Sequence, residues 1–159
     1  MTKNADAHLK ELDDFDRRLL ALVQKDNQST HAELGETVGL SPSAVRRRLK
    51  RFRDSGLIMR DVALLNPDSI GVRLVITVSF QNETVETLEA FDRQMQDLPE
   101  VSQCYHVSGA TDYVLIVHGP SVDWYEEWGK RVFMGNPDIR RYDSHVVWSC
   151  KKFETAMNI

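Results

Sequence analysis

The hydrophobic period of this chain changes once, near Asn66-Pro67-Asp68, and the change requires a helical part followed by a part of mixed period. Three stretches before it carry apolar residues at helical spacing, each with start and stop signals. In "DDFDRRLLALVQKDNQ" the apolar set is Phe15, Leu19, Leu20, Leu22 and Val23, with Asp13 or Asp14 as N-cap and Asp26-Asn27 as exit. In "STHAELGETVGL", Ser29 or Thr30 caps a short helix and Glu33 stands where a capping-box partner belongs. Ala32, Leu34 and Val38 point inward there, and Gly39 ends it. "LSPSAVRRRLKRFRDSGLI" (40–58) has Ser41 as N-cap, Pro42 at the first helical position and Gly56 as stop. Three helices with turns this short have the length pattern of a helix-turn-helix. "LIMRDVALLNP" then predicts an extended linker strand over 57–65.

After Pro67 the pattern is β-α-β-β-α-β. Strands are expected over 72–80, 101–109, 111–119 and 139–153, and helices over 84–100 and 121–137. Val85, Leu88, Phe91, Met95 and Leu98 form the inner face of the first of these helices. This order is that of a ferredoxin-like α+β domain, a four-stranded antiparallel sheet with two helices on one face and strand order 4-1-3-2. The expected domains are a disordered tail over 1–11, a helix-turn-helix with its linker over 12–66, and the ferredoxin-like part over 67–159.

Charge divides at the same place. Residues 1–66 hold twelve Lys or Arg against ten Asp or Glu, and residues 67–159 hold eight against fourteen, so a net charge of −4 conceals +2 followed by −6. Six of the cations fall between Arg46 and Arg53. At about 100° per residue, Val45, Leu49 and Phe52 share one narrow arc, while Ser43, Arg46, Arg47, Lys50 and Arg51 fan across the other side. Only Asp54 interrupts the run, and the i,i+4 pairs Arg46–Lys50 and Arg47–Arg51 repel, so an external anion is the economical explanation. Duplex DNA supplies one charge per about 1.7 Å of axis. In a helix-turn-helix the N-terminal half of the second motif helix enters the major groove. Ser43, Ala44, Arg46 and Arg47 are therefore the candidate base readers, Arg for guanine edges, Ser for either role and Ala for a thymine methyl. Ser41 begins this surface, and Lys50, Arg51 and Arg53 continue it as candidate phosphate contacts.

The ordered set "LDDFDRRLLALVQKD", "VGLSPSAVRRRLKRFRDSGLI", "ALLNP" and "VSQCYHVSGATDYVLIV" resembles the Lrp/AsnC family of transcription regulators, over about residues 12–153. The resemblance implies a winged helix-turn-helix followed by a ferredoxin-like effector and oligomerisation domain, assembled as dimers and often as octamers. It implies an amino acid or similar effector between neighbouring dimers, near the turn joining the second and third strands. By position that turn is Ser108, Gly109, Ala110, Thr111 and Asp112, with Asp112 as the evident cation partner. Family members usually place an acidic residue and then an aromatic between that Gly and Asp, where Ala110 and Thr111 stand here. On the last strand Tyr142 and Ser144 fall where hydroxyls are common, and alternation puts them on one face, opposite Asp143 and His145. The implied function is a sequence-specific DNA-binding regulator answering to an amino-acid-like metabolite. A two-fold dimer would bind a pseudo-palindromic operator with recognition helices about 34–36 Å apart. The competing reading is an architectural DNA-compacting protein without an effector.

The remaining features point to no reaction. Cys104 and Cys150 lack metal-ligand spacing and read as buried free thiols, on strands at opposite sheet edges. His106, His118 and His145 assemble no metal or nucleophile site with them, no Gly-rich phosphate loop occurs, and neither a catalytic residue nor a cofactor is expected. Trp124, Tyr125 and Trp128 sit at helical spacing and read as core or subunit interface. No run of about 18 apolar residues exists and "MTKNADAHLK" lacks the apolar centre of a secretory signal, so a cytoplasmic protein with no membrane partner is expected.

Overall fold

Side-chain capping sets the three N-terminal helices. The computed structural model describes residues 12–159, the side chain of Asp68 excepted, so the tail expected over 1–11 lies outside the described residues. Asp13 caps α1 (Asp14–Val23): its carboxylate accepts from the Asp16 N–H at 2.8 Å, and the Asp16 carboxylate accepts from the Asp13 N–H at 3.3 Å. Thr30 and Glu33 form the same reciprocal box on α2 (His31–Val38). Ser41 caps α3 (Pro42–Asp54), its hydroxyl accepting from the Ala44 N–H at 3.2 Å.

The turn between α2 and α3 depends on two glycines. Gly39 has φ 82°, in the left-handed region, and Gly35 faces the returning chain so closely that a Cβ would lie 2.4 Å from the Leu40 carbonyl oxygen. Around this turn Leu19, Leu20, Leu34, Val45, Leu49 and Phe52 form the buried core of the first unit. Ala32 is exposed instead of inward, because the eight residues of α2 turn only Leu34, Gly35 and Val38 to the core. Phe15 sits at the rim, 39% exposed.

The chain groups into two units, residues up to Leu64 with Lys152–Ile159, and Leu65–Lys151. The last eight residues were expected with the second domain. They join the first unit because the Gln24 side-chain amide bonds both backbone groups of Met157, at 3.1 and 2.6 Å, and Ile159 packs on the helical core. Residues 57–65 form no strand. Their apolar, β-branched content suggested one, but a strand needs a neighbour, and Met59, Val62 and Leu64 stand exposed.

In the second unit β1 (Val72–Phe80) is followed by α4 (Val85–Gln96), β2 (Val101–His106), β3 (Tyr113–Gly119), α5 (Val122–Gly129) and β4 (Ile139–Val146). The sheet order is β2-β3-β1-β4 with antiparallel neighbours, which is the ferredoxin-like arrangement expected. Leu74, Ile76, Val78 and Phe80 of β1 face the core with Tyr113, Leu115, Val117, Phe91, Met95 and Trp128. Val75, Thr77, Val114 and Ile116 alternate onto the opposite face, where they remain only half-buried.

Several boundaries differ from the sequence reading. β4 stops at Val146 because β1 is running out: Val146 pairs with Leu74, and the Val147 N–H reaches only the Arg73 carbonyl. The helix expected over 121–137 ends at Gly129 and continues as a π-helical turn, Lys130–Met134, which buries the adjacent pair Val132 and Phe133. α4 ends at Gln96, and Val85 at its start is exposed. Neither cysteine is buried: Cys104 is exposed on the outer strand β2, and Cys150 is half-buried beyond β4. The neighbouring side chains still keep part of the water from the Cys104 thiol, and this, with Asp92, pushes its pKa up to about 11. Trp128 is core, edge-on to Phe133, and Trp124 stacks on it.

At an unobstructed helical site, Gly→Ala stabilises by about 1 kcal/mol. At position 35 the Leu40 carbonyl must move, so Gly35→Ala is expected to destabilise the protein by about 2 kcal/mol, measured by urea unfolding followed through helical circular dichroism.

Candidate functional site

The cations of α3 divide by their partners. Asp16 is 1% exposed, and its carboxylate is held by Arg48 Nη1 and Arg51 Nη2, each at 2.5 Å. Arg48 also reaches Asp13 at 2.8 Å, and these two carboxylates, Asp13 foremost, hold its guanidinium above the usual arginine range. The Asp13 carboxyl lies below its usual range, chiefly through the Asp16 N–H and then through Arg48. Lys50 pairs with Asp54 at 2.6 Å one turn along. Arg53 makes two bonds to Asp61, at 2.9 and 3.2 Å, which depress the Asp61 carboxyl.

The cationic run is therefore largely neutralised from within. The like-charge crowding of Arg47–Arg51 is relieved by Asp16 of α1, which the helical wheel of α3 could not show, and that of Arg46–Lys50 by Asp54 within α3. Among the described residues Arg46 and Arg47 have no ion-pair partner, and both are exposed in the N-terminal half of α3. Ser43 and Ala44 precede them, and Ser43 shares a hydroxyl bond of 3.1 Å with the capping Ser41. Ser41 is committed to the cap, while Lys50, Arg51 and Arg53 each share their charge with an acid. Arg48, absent from the expected set, is the internal strut of the motif.

The expected effector residues come together in part. Val78 pairs with both Tyr113 and Tyr142, so the turn 108–112 and the Tyr142 position flank the same end of β1. The turn is tied down there: the Asp112 N–H and the Thr111 hydroxyl donate to the Val78 carbonyl at 2.9 and 2.8 Å. Asp112 Oδ2 accepts from the Phe80 N–H at 2.7 Å, so one carboxylate oxygen is engaged by the backbone. Ser108, Gly109 and Ala110 are exposed. Ser144 turns into the helical layer and its hydroxyl bonds that of Tyr125. Tyr142 packs its ring on Phe133 at 4.8 Å and lines a concavity of about 280 Å³ together with Met134, Asn136, Arg140 and Arg141. Those four residues were not singled out in the sequence. The one signal available was the Arg140-Arg141 pair at the start of a strand.

A capped helix-turn-helix with two free arginines at the start of its second motif helix, joined to a ferredoxin-like unit, defines a DNA-binding regulator of two-unit type. Residues 12–59 match the winged helix-turn-helix DNA-binding model and residues 73–157 the Lrp/AsnC ligand binding domain. The chain belongs to the Lrp/AsnC family of transcriptional regulators. It is 38% identical over 151 residues to an HTH-type transcriptional regulator of Sinorhizobium fredii, covering 94% of this chain and 89% of that one. It is 31% identical over 140 residues to the leucine-responsive regulatory protein of Escherichia coli, covering 87% and 85%. Among solved structures, a Neisseria meningitidis transcriptional regulator in complex with L-Met superposes with a TM-score of 0.85 at 30% identity, covering 92% of this chain and 96% of that one. These relatives are named as regulators, not as enzymes. No helix among the described residues is long and apolar enough to cross a membrane.

Removing one partner of a buried ion pair strands the other. Asp16→Ala is expected to cost about 3 kcal/mol, seen as a lower denaturant midpoint, and to free Arg51. The salt dependence of DNA binding should steepen by a fraction of one ion released per protomer, measured by fluorescence anisotropy across a salt series.

Proposed function

We propose that this regulator binds a pseudo-palindromic operator in the cytoplasm as a homo-oligomer, and that an amino-acid-like metabolite in its C-terminal unit sets its DNA affinity or its assembly. The observation that carries the reading is the pair of unpartnered arginines, Arg46 and Arg47, on a helix whose other cations are matched by acids. Two exposed guanidiniums one residue apart at the start of a recognition helix suit contact with guanine edges. Lys50, Arg51 and Arg53, each already paired, are suited to weaker contacts with phosphate.

Assembly is supported by the sheet. Its helix-free face carries half-buried Val75, Val114 and Ile116 with exposed Tyr105, a surface fitted to a second copy. Closing two such faces under two-fold symmetry gives the dimer that a pseudo-palindrome requires. The metabolite reading is supported by the relative solved with L-Met and by the concavity beside Tyr142. A ligand acts on DNA binding only so far as it prefers one state of the protein over another.

Arg47→Ala is expected to weaken operator binding by roughly 1–3 kcal/mol and to relax base preference, while Arg53→Ala, already neutralised by Asp61, changes it far less. Mobility-shift titrations on operator and scrambled duplexes at several salt concentrations measure both. Equal losses for Arg47→Ala on the two duplexes would favour the DNA-compacting alternative.

A further inference from the structure

We propose that the concavity between the π-helical turn Lys130–Met134 and the start of β4 binds a small monocarboxylate, and that it recognises the carboxylate with no need for an amino group. The inference rests on reading the C-terminal unit as the metabolite-binding half of the regulator, and it names the chemistry of the ligand.

The concavity is an open one of about 280 Å³, a metabolite-sized space. Its cationic side is built by an irregularity in the sheet. Phe80 pairs with Ile139 and Ser79 with Arg141, so Arg140 is the extra residue of a β-bulge. In a regular strand Arg140 and Arg141 would point to opposite faces. The bulge breaks that alternation at Arg140, and Arg140, Arg141 and Tyr142 each contribute to the lining of the concavity.

Their charges are not equivalent. Arg141 is engaged by Asp143, with Nε to Oδ2 at 2.8 Å and Nη2 to Oδ1 at 2.9 Å. Arg140 is exposed and has no ion-pair partner among the described residues. Counting Arg140, Arg141 and Asp143, the site carries one net positive charge, which a single carboxylate neutralises. Arginine presents the planar donor pair that a carboxylate accepts from bidentately.

An ammonium group finds much less. None of the lining residues is acidic. Asn136 Oδ1, which already accepts from the Asp138 N–H at 3.0 Å, and the Tyr142 hydroxyl are neutral acceptors that offer an ammonium no counter-charge. Asp112, the other candidate, does not line the concavity, and one of its oxygens is held by the Phe80 N–H. An α-ammonium placed here gains no counter-charge from the lining. Phe133 and Met134 supply the apolar wall, and the thioether adapts to a short aliphatic tail.

Three probes with one branched tail separate these demands: 4-methylpentanoate, leucine and 3-methylbutan-1-amine, titrated calorimetrically into the full-length protein at fixed ionic strength. We expect 4-methylpentanoate to bind, leucine to bind about tenfold more weakly, and the amine to give no binding. Arg140→Ala should weaken 4-methylpentanoate at least about tenfold, Arg140→Lys, which keeps the charge without the planar fork, should recover only part of the loss, and both ligand-free variants should melt with the wild type. Leucine or the amine binding more tightly than 4-methylpentanoate would overturn the proposal. So would unchanged affinity in Arg140→Ala, or no binding by any probe. Operator retention is read in parallel. Binding through Arg140 without any change in retention sustains the site and removes its regulatory role, whereas retention that responds to amino acids independently of Arg140 sustains regulation and removes this site.

Discussion

The N-terminal unit turns on one buried carboxylate. Asp16 is enclosed at the junction of α1 and α3, and it is acceptable there only because Arg48 and Arg51 both reach it. The same carboxylate closes the capping box of α1 through the Asp13 N–H. A single group thus fixes where α1 begins and how α3 is rotated about its axis. Rotation matters because Val45, Leu49 and Phe52 must enter the core while Arg46 and Arg47 face outward. An apolar residue at position 16 could fill the space, but it would not choose between neighbouring rotations of α3. Two directional ion pairs do.

Much of this was legible in the residues. The cap at Ser41, the cap at Ser29 or Thr30, which the structure settles on Thr30, and the stop at Gly39 followed from local chemistry, because each depends on residues within a few positions of each other. The strand order followed from the β-α-β-β-α-β succession of elements. The internal neutralisation of α3 was not legible: Asp13, Asp16 and Asp61 become partners only when the fold brings them to the helix. For the same reason 57–65 misled. Strand propensity reports a surface fit for pairing, and no strand among the described residues pairs there. Cys104 misled differently, since an edge strand leaves one flank open however apolar its neighbours are.

On β4, the bulge at Arg140 and the π-helical turn before it are both one-residue departures from a regular period. Periodicity cannot announce such departures, because each adds a residue without changing the residue types around it. Phe133 and Met134 of the turn and Arg140 of the bulge line one concavity with Tyr142. π-turns and bulges recur at functional sites. The part of the ligand-binding unit most concerned with chemistry was thus the part least readable from pattern.

Both surfaces follow one electrostatic design, in which most arginines are matched by a nearby acid and a few are left over. In a chain of net charge −4, affinity for a polyanion cannot come from total charge and must come from those local remainders. Screening makes this workable. At physiological ionic strength charges beyond about 8 Å are largely hidden from one another, so a phosphate beside Arg46 and Arg47 meets the local balance of α3 and not the sum over the chain. At 0.01 M salt the screening length grows to roughly 30 Å, and the net charge of −4 then counts against a polyanion as the local remainders count for it. Dilute buffer, which strengthens most protein–DNA contacts through counterion release, therefore brings a smaller gain for this chain than for a uniformly basic one.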